Sequence, residues 1–213
     1  MSRVVDLIRN PGVVAIVRLD DYSAAVDMVG AMEAGGIRAV EFTYTNPKAG
    51  EAIAVVADAF GDRIAVGAGT VLDPETARAA MLQGASFVVT PTLNVETIRM
   101  CRRYDVPTVI GAYTPTEMLT AWEAGATMVK LFPARSVGPA YIKDVHGPLP
   151  HIPIIPTGGV SLENCAEFIA AGAAGIAIGS NLVDAKLVAA QDWAELTRRA
   201  KAFVSAVTDA RAR

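Results

Sequence analysis

The chain has 213 residues, 19 basic against 22 acidic side chains, and a net charge of −3 at pH 7. This balance provides no broad basic surface for nucleic acid, and the short group Arg198, Arg199 and Lys201 is better explained as the solvated face of a terminal helix. No apolar run reaches the roughly 18 residues of a membrane span, and residues 1–9 lack the apolar core of a signal peptide. We therefore expect a cytoplasmic protein that binds neither nucleic acid nor membrane.

Short apolar runs alternate with amphipathic stretches along the chain. The runs predict eight β-strands, which are Val13–Val17, Ala39–Thr43, Ile64–Ala68, Phe87–Thr90, Thr108–Ala112, Met128–Phe132, Ile152–Pro156 and Gly175–Gly179. The other stretches predict helices, which are Tyr22–Ala34, Glu51–Phe60, Glu75–Leu82, Val95–Tyr104, Pro115–Glu123, Leu162–Ala171 and Trp193–Val207. Such strict alternation is typical of a parallel sheet whose strands are joined by helical crossovers.

Eight strand–helix units without a linker predict one α/β domain over residues 1–213, a (β/α)8 TIM barrel. An open, doubly wound sheet is the alternative. It is disfavoured because the first strand is followed by Arg18–Leu19–Asp20, which lacks the glycine-rich turn that binds dinucleotides. In a barrel, we expect catalytic residues at the carboxyl ends of the strands.

Two charged residues lie inside predicted strands. Because side chains alternate along a strand, Lys130 shares a face with Met128, and Glu41 shares a face with Ala39. The intervening Val129 suits packing against the surrounding helices. We therefore expect both charged side chains to point into the barrel, where they converge in one largely apolar cavity.

A lysine in such a cavity changes its protonation behaviour. Burial disfavours the charged form and lowers the pKa of the amine, which supplies the neutral amine that attacks a carbonyl group. Lys130 is thus predicted to be a nucleophile, and the structural alternative is a buried Lys–Glu ion pair that only fills the barrel. The other lysines are expected to be solvated, at Lys48, Lys143, Lys186 and Lys201.

No metal-binding pattern is present in the sequence. Cys101 and Cys165 belong to no CxxC pair, and His146 and His151 share no ligand spacing with them. Both histidines precede the seventh predicted strand, so we expect them at the end of the barrel opposite the carboxyl ends. We expect free thiols and no metal.

Glycines follow the seventh and eighth predicted strands, as Gly158–Gly159 and Gly179–Ser180. Barrels often bind phosphate at this place, through backbone N–H groups and the start of a helix. The simpler explanation is that these glycines only make tight turns. Their close grouping with Thr157 and Val160 favours a phosphate site.

Seven segments, in order along nearly the whole chain, match a known family. They are VEFT at 40–43, GAGTVL at 67–72, VTP at 89–91, VKLFPA at 129–134, GP at 138–139, PTGGV at 156–160 and IGS at 178–180. With them the chain resembles the 2-keto-3-deoxy-6-phosphogluconate (KDPG) aldolase family, which includes 4-hydroxy-2-oxoglutarate (KHG) aldolases.

The resemblance implies a metal-independent class I aldolase without a cofactor, which usually assembles as a homotrimer. Its small-molecule partners would be a phosphorylated 2-keto-3-deoxy sugar acid and pyruvate. The implied catalytic residues are Lys130, which forms the Schiff base, and Glu41, the general acid/base. The implied binding residues are Thr70 for the carboxylate, Pro91, Phe132 and Thr157 for the substrate pocket, and Gly158, Gly159, Gly179 and Ser180 for the phosphate.

One position departs from the pattern of some family members, which carry an arginine after the glutamate strand to pair with the substrate carboxylate. Thr45 occupies that place here. Arg18, at the end of the first strand, is expected to supply the guanidinium instead, because two parallel N–H donors fit a carboxylate.

The predicted reaction begins when Lys130 attacks the C2 ketone of KDPG. Glu41 then removes the C4 hydroxyl proton, the C3–C4 bond breaks, and glyceraldehyde 3-phosphate and pyruvate are released. One alternative is the same chemistry on 2-keto-3-deoxy-6-phosphogalactonate or KHG. The others are a synthase or isomerase that binds phosphate without a Schiff base, and a non-catalytic barrel that binds phosphorylated sugars.

Overall fold

The computed structural model describes residues 3–213. Within this range the strands are β1 (Val13–Val17), β2 (Ala39–Thr43), β3 (Ala65–Gly69), β4 (Phe87–Val89), β5 (Thr108–Ala112), β6 (Met128–Leu131), β7 (Ile154–Pro156) and β8 (Ile176–Ile178). They pair in parallel in the order of the sequence, and β8 returns to pair with β1. A parallel bridge between Thr157 and Ala177 brings the end of β7 to β8 and completes the ring. The barrel prediction is confirmed, and the open sheet is excluded.

The helices surround this barrel. They are α1 (Arg3–Arg9), α2 (Ala25–Ala34), α3 (Ala49–Phe60), α4 (Pro74–Leu82), α5 (Val95–Arg103), α6 (Pro115–Glu123), α7 (Gly138–His146), α8 (Cys165–Ala170), α9 (Ala185–Ala189) and α10 (Trp193–Arg211). No helix within residues 3–213 is long and apolar enough to cross a membrane.

Three helices were not predicted from the sequence. α7 begins with Gly138 and Pro139, a pair that indicates a turn, but proline is also well tolerated in the first turn of a helix. α1 and α9 have only seven and five residues, too few to show a clear periodicity. Strand ends differ by one or two residues; β7, for example, begins at Ile154 and not at Ile152.

The apolar residues form two layers. An inner cluster fills the barrel and includes Met128 and Ala39, whereas Val129 and Val40 belong to the outer cluster between strands and helices. Val5 and Ile8 of α1 join the inner cluster. The N-terminal helix therefore covers one end of the barrel, and the carboxyl ends of the strands lie at the other.

Candidate active site

Lys130 and Glu41 meet inside the barrel, as strand alternation predicts. Lys130 on β6 is 4% exposed, and Glu41 on β2 is 1% exposed. Lys130 Nζ lies 4.0 Å from Glu41 Oε1, a long separation for an ion pair. Among the described residues, Glu41 Oε1 has no hydrogen-bond partner. The two groups are therefore close, yet Glu41 retains hydrogen-bonding capacity for a third molecule.

Burial favours the neutral forms of both Lys130 and Glu41. It lowers the pKa of the Lys130 amine, an effect that the Glu41 carboxylate opposes and the Arg18 guanidinium reinforces. It also raises the pKa of Glu41, against the influence of Lys130 and Arg18. Desolvation is the largest cause in each case. A neutral amine is a nucleophile, so the site favours attack on a carbonyl carbon.

The residues next to Lys130 and Glu41 leave space around these two side chains. The Phe132 ring centre lies 5.2 Å from Lys130 Nζ, which gives the amine an aromatic wall. Gly69 at the end of β3 faces Glu41, and a Cβ there would lie 2.9 Å from Glu41 Oε1. A side chain at position 69 would therefore displace the carboxylate.

Arg18 and Thr45 lie at the carboxyl ends of β1 and β2. Arg18 is exposed, and its charge acts on both Glu41 and Lys130. Thr45 is also exposed, and its hydroxyl is 2.8 Å from the Thr43 hydroxyl. No ion pair of Arg18 is found among residues 3–213, so its guanidinium has no carboxylate partner in that range.

Three further predicted residues follow strands at the same end. Thr70 has a φ of 57°, an uncommon backbone conformation for a β-branched residue. Pro91 follows β4 and is half-buried. Thr157 is 3% exposed, and its hydroxyl has no hydrogen-bond partner among the described residues. A buried, unpaired hydroxyl beside the site is available to a ligand.

The two glycine turns are near each other. Gly158 and Gly159 have φ values of 84° and 85°, which L side chains rarely adopt. Gly179 accepts hydrogen bonds from the backbone of Leu182 and Val183. The bridge from Thr157 to β8 brings the first turn beside the strand that leads into Gly179 and Ser180.

Comparisons with known proteins agree with this geometry. A model of the KDPG and KHG aldolase family matches residues 4–199. The chain is 39% identical over 198 residues to 2-dehydro-3-deoxy-6-phosphogalactonate aldolase from Escherichia coli, a match that covers 92% of this chain and 95% of the relative. The chain belongs to the KDPG and KHG aldolase family. The family prediction is thereby confirmed.

Two further relatives support this membership. The 2-dehydro-3-deoxy-phosphogluconate aldolase of Pseudomonas aeruginosa is 36% identical over 198 residues, with coverage of 92% of this chain and 90% of the relative. A solved structure described as native KDPGal is 37% identical and superposes with a TM-score of 0.88, over 94% of this chain and 96% of that chain.

Sequence reasoning missed residues that hold the aldolase site together. The Asn46 side-chain amide donates to the carbonyls of Leu19 and Asp20, each at 3.0 Å, and thus holds the loop that begins with Arg18. The Tyr22 hydroxyl, which has one hydrogen to donate, lies 3.3 Å from the carbonyl oxygens of both Val17 and Thr43. Nothing in the sequence identifies the distant hydrogen-bond partners of Asn46 and Tyr22.

Arg135 was also missed. Its backbone N–H donates to the Gly158 carbonyl at 2.9 Å, and a Cβ on Gly159 would collide with the Arg135 side chain. Arg135 is exposed and takes part in no ion pair within the described part of the chain. The backbone of Arg135 and the base of its side chain therefore lie against the glycine turn.

The histidines and cysteines lie away from this site. His146 ends α7 and contacts the Ile152 carbonyl, and His151 packs edge-to-face on Trp122. Both are at the amino-terminal side of the barrel, as predicted. Cys101 and Cys165 are buried free thiols. No group of three His, Cys, Asp or Glu side chains in residues 3–213 is arranged to hold a metal ion.

Proposed function

We propose that the chain is a class I aldolase that cleaves KDPG to pyruvate and glyceraldehyde 3-phosphate, with residues 1–213 acting as one catalytic domain. The observation that supports it most directly is a buried lysine with a lowered pKa beside a buried glutamate, in a member of this family. A buried ion pair alone would be a weak stabiliser beside apolar packing. A function therefore explains the pair better than a structural role.

Lys130 attacks the C2 ketone, and loss of water gives an iminium. Glu41, directly or through a water molecule, removes the proton of the C4 hydroxyl. The C3–C4 bond breaks, its electron pair moves into the enamine, and glyceraldehyde 3-phosphate leaves. Protonation of the enamine at C3 followed by hydrolysis releases pyruvate and the free amine. The iminium accepts the electrons, so the proposal requires neither a metal ion nor another cofactor.

Arg18 and Thr70 are proposed to bind the carboxylate next to the ketone. Arg18 offers two parallel N–H donors, and Thr70 is held in a strained backbone conformation of the kind that clusters at functional sites. Pro91, Phe132 and Thr157 would line the rest of the pocket. The unpaired Thr157 hydroxyl would bind a substrate oxygen.

The phosphate is proposed to bind the turns Gly158–Gly159 and Gly179–Ser180. The positive φ values of the first pair allow the backbone to approach a phosphate closely without a Cβ in the way. The Arg135 guanidinium would add charge on the same side.

A second candidate substrate is the C4 epimer, 2-keto-3-deoxy-6-phosphogalactonate. The specific reason is the 39% identity to the Escherichia coli aldolase named for that compound. The same Schiff-base steps would apply, because the epimers differ only at C4.

Comparing kcat/KM for KDPG, the phosphogalactonate epimer and KHG tests the proposal. We expect cleavage of both phosphorylated compounds to exceed that of KHG, because only they can occupy the glycine turns, and we expect KDPG to be preferred. The assays would contain a chelator. A preference for the epimer or for KHG would overturn the KDPG assignment, and activity that needs an added divalent ion would overturn the metal-free mechanism.

Arg18→Ala should raise KM for KDPG and pyruvate by about tenfold or more, because a hydrogen bond to a charged group contributes about 1.5 to 3 kcal/mol. Adding Thr45→Arg to that variant should restore part of the loss, since position 45 is exposed and close to the site. Steady-state kinetics measures both effects. Arg99→Ala, which removes an exposed arginine of α5, is the control. Unchanged kinetics in Arg18→Ala would show that other groups bind the carboxylate.

We further propose that the protein acts in the cytoplasm as a homotrimer, as the family resemblance implies. Several large apolar side chains are exposed and would be available for contact between subunits, including Val55, Leu72 and Leu82.

A further inference from the structure

The hydroxyl of a buried threonine, Thr90, interrupts the regular backbone pairing between the end of β4 and β5. Thr90 is fully buried, and its N–H donates to the Val109 carbonyl, which continues the pairing with β5. In a regular parallel ladder, the next N–H on β5, that of Gly111, would donate to the Thr90 carbonyl. Here it donates to Thr90 Oγ1 at 3.0 Å. The side chain thus replaces the main chain as the acceptor.

The same hydroxyl also binds the loop that follows. Thr90 Oγ1 donates to the Thr92 carbonyl at 2.7 Å. One hydroxyl therefore uses its donor and one acceptor position to join β5 to residues 91–92. Pro91, which has no N–H of its own, lies between these two attachment points and cannot anchor itself through a backbone donor.

The hydrogen bonds of the Thr90 hydroxyl lie close to Lys130. Gly111 is paired with Lys130 in the register of β5 and β6. A Cβ on Gly111 would overlap the Pro91 carbonyl group and the Thr92 nitrogen. The Pro91 backbone therefore rests directly on Gly111, one strand away from Lys130, and only glycine at position 111 permits this approach.

We propose that Thr90 is a positioning residue that holds Pro91 against Gly111 and so sets the width of the pocket next to Lys130. The inference rests on the proposed Schiff-base function. Thr90 touches no reacting atom; it acts through Pro91. Without the Thr90 hydroxyl, the Gly111 N–H loses its acceptor. Either the Gly111 N–H then donates to the Thr90 carbonyl, or the loop at residues 91–92 moves outward. Either change shifts the pocket wall, and displacements of about 1 Å reduce the efficiency of an oriented reaction.

Thr90→Val keeps the shape of the side chain and removes the hydroxyl. The pyruvate concentration that gives half-maximal borohydride trapping should rise about tenfold or more, because the bound keto acid is less well enclosed. Thr90→Ser retains the hydroxyl and should behave nearly as the parent.

Thr108→Val is the matched control. Thr108 is equally buried, lies on the same strand as Gly111, and accepts a hydrogen bond from the Thr127 N–H at 3.3 Å, but at the opposite end of the barrel. The Thr108→Val protein should unfold at a lower temperature but trap pyruvate as the parent does. If Thr90→Val trapped pyruvate as readily as Thr108→Val, or if Thr90→Ser were as impaired as Thr90→Val, the positioning role would be wrong.

Gly111→Ala is a second variant that leaves the Thr90 hydroxyl intact but pushes the Pro91 loop away. It should weaken pyruvate trapping in the same way, and it carries the test if Thr90→Val does not fold. Normal trapping in a folded Gly111→Ala protein would contradict the proposal. Failure of the parent enzyme to trap pyruvate on Lys130 would instead overturn the proposed function, so the two outcomes are distinguishable.

Discussion

Lys130→Met should eliminate both cleavage of KDPG and borohydride trapping of pyruvate, to the limit of detection. Methionine matches the length of the lysine stem and suits the apolar surroundings of β6, but it has no amine to attack the ketone. Removing the Lys130 charge takes away an influence that lowers the Glu41 pKa, so that pKa should rise further and the buried carboxyl should take up a proton more readily. The fold should therefore be kept. Single-turnover cleavage, pyruvate trapping and thermal unfolding would be measured on the same preparation.

Lys143→Met is the control for that experiment, since Lys143 is exposed on α7. It should cleave and trap as the parent does. A Lys130→Met protein that unfolded at a much lower temperature would favour the structural explanation, in which the buried pair holds the barrel together. A folded variant with residual Schiff-base chemistry would mean that another lysine reacts.

Glu41→Gln should separate bond cleavage from Schiff-base formation. Glutamine has nearly the size and hydrogen-bonding shape of glutamate but cannot take a proton. Cleavage should fall by at least about 10², the usual contribution of general acid/base catalysis, while trapping of pyruvate on Lys130 continues, though more slowly. Single-turnover trapping measured beside steady-state cleavage tests this difference. If Glu41→Gln cleaved at the parent rate, Glu41 would be only a counter-ion of Lys130.

The pH dependence of cleavage is an independent test of Glu41 as the base. A base must be ionised, and burial raises the pKa of Glu41, so the parent rate should increase as pH rises through that pKa. The lowered pKa of Lys130 increases the fraction of neutral amine at a given pH. Glu41→Gln should lose the rise that depends on the glutamate.

Local patterns in the sequence predicted the barrel and the direction of its two buried charges. Alternation along short strands placed Lys130 and Glu41 inside, and the structure confirms this because Met128 and Ala39 belong to the inner cluster. The order of the motifs predicted the family, which the comparisons confirm. The catalytic roles of Lys130 and Glu41 remain predictions, as do the binding roles of Arg18, Thr70, Pro91, Phe132, Thr157 and the glycine turns.

Features that depend on contacts between distant segments were not predicted. The Asn46 amide reaches carbonyls 26 and 27 residues away, and the Thr90 hydroxyl reaches Gly111 across 21 residues. Each contact requires the register between neighbouring strands, which a single sequence does not display. Helix α7 was missed for a different reason, because Gly138 and Pro139 indicate a turn as readily as a first helical turn.

The most direct test of the central claim is identification of the lysine that borohydride couples to pyruvate. A reduced adduct on Lys130 blocks trypsin at that residue, so the mass of one reduced pyruvate should be found on the uncut peptide 104–135. Digestion without pyruvate should instead yield cleavage after Lys130. An adduct on Lys48, Lys143, Lys186 or Lys201, or no adduct in a folded and active enzyme, would contradict the Schiff base at Lys130.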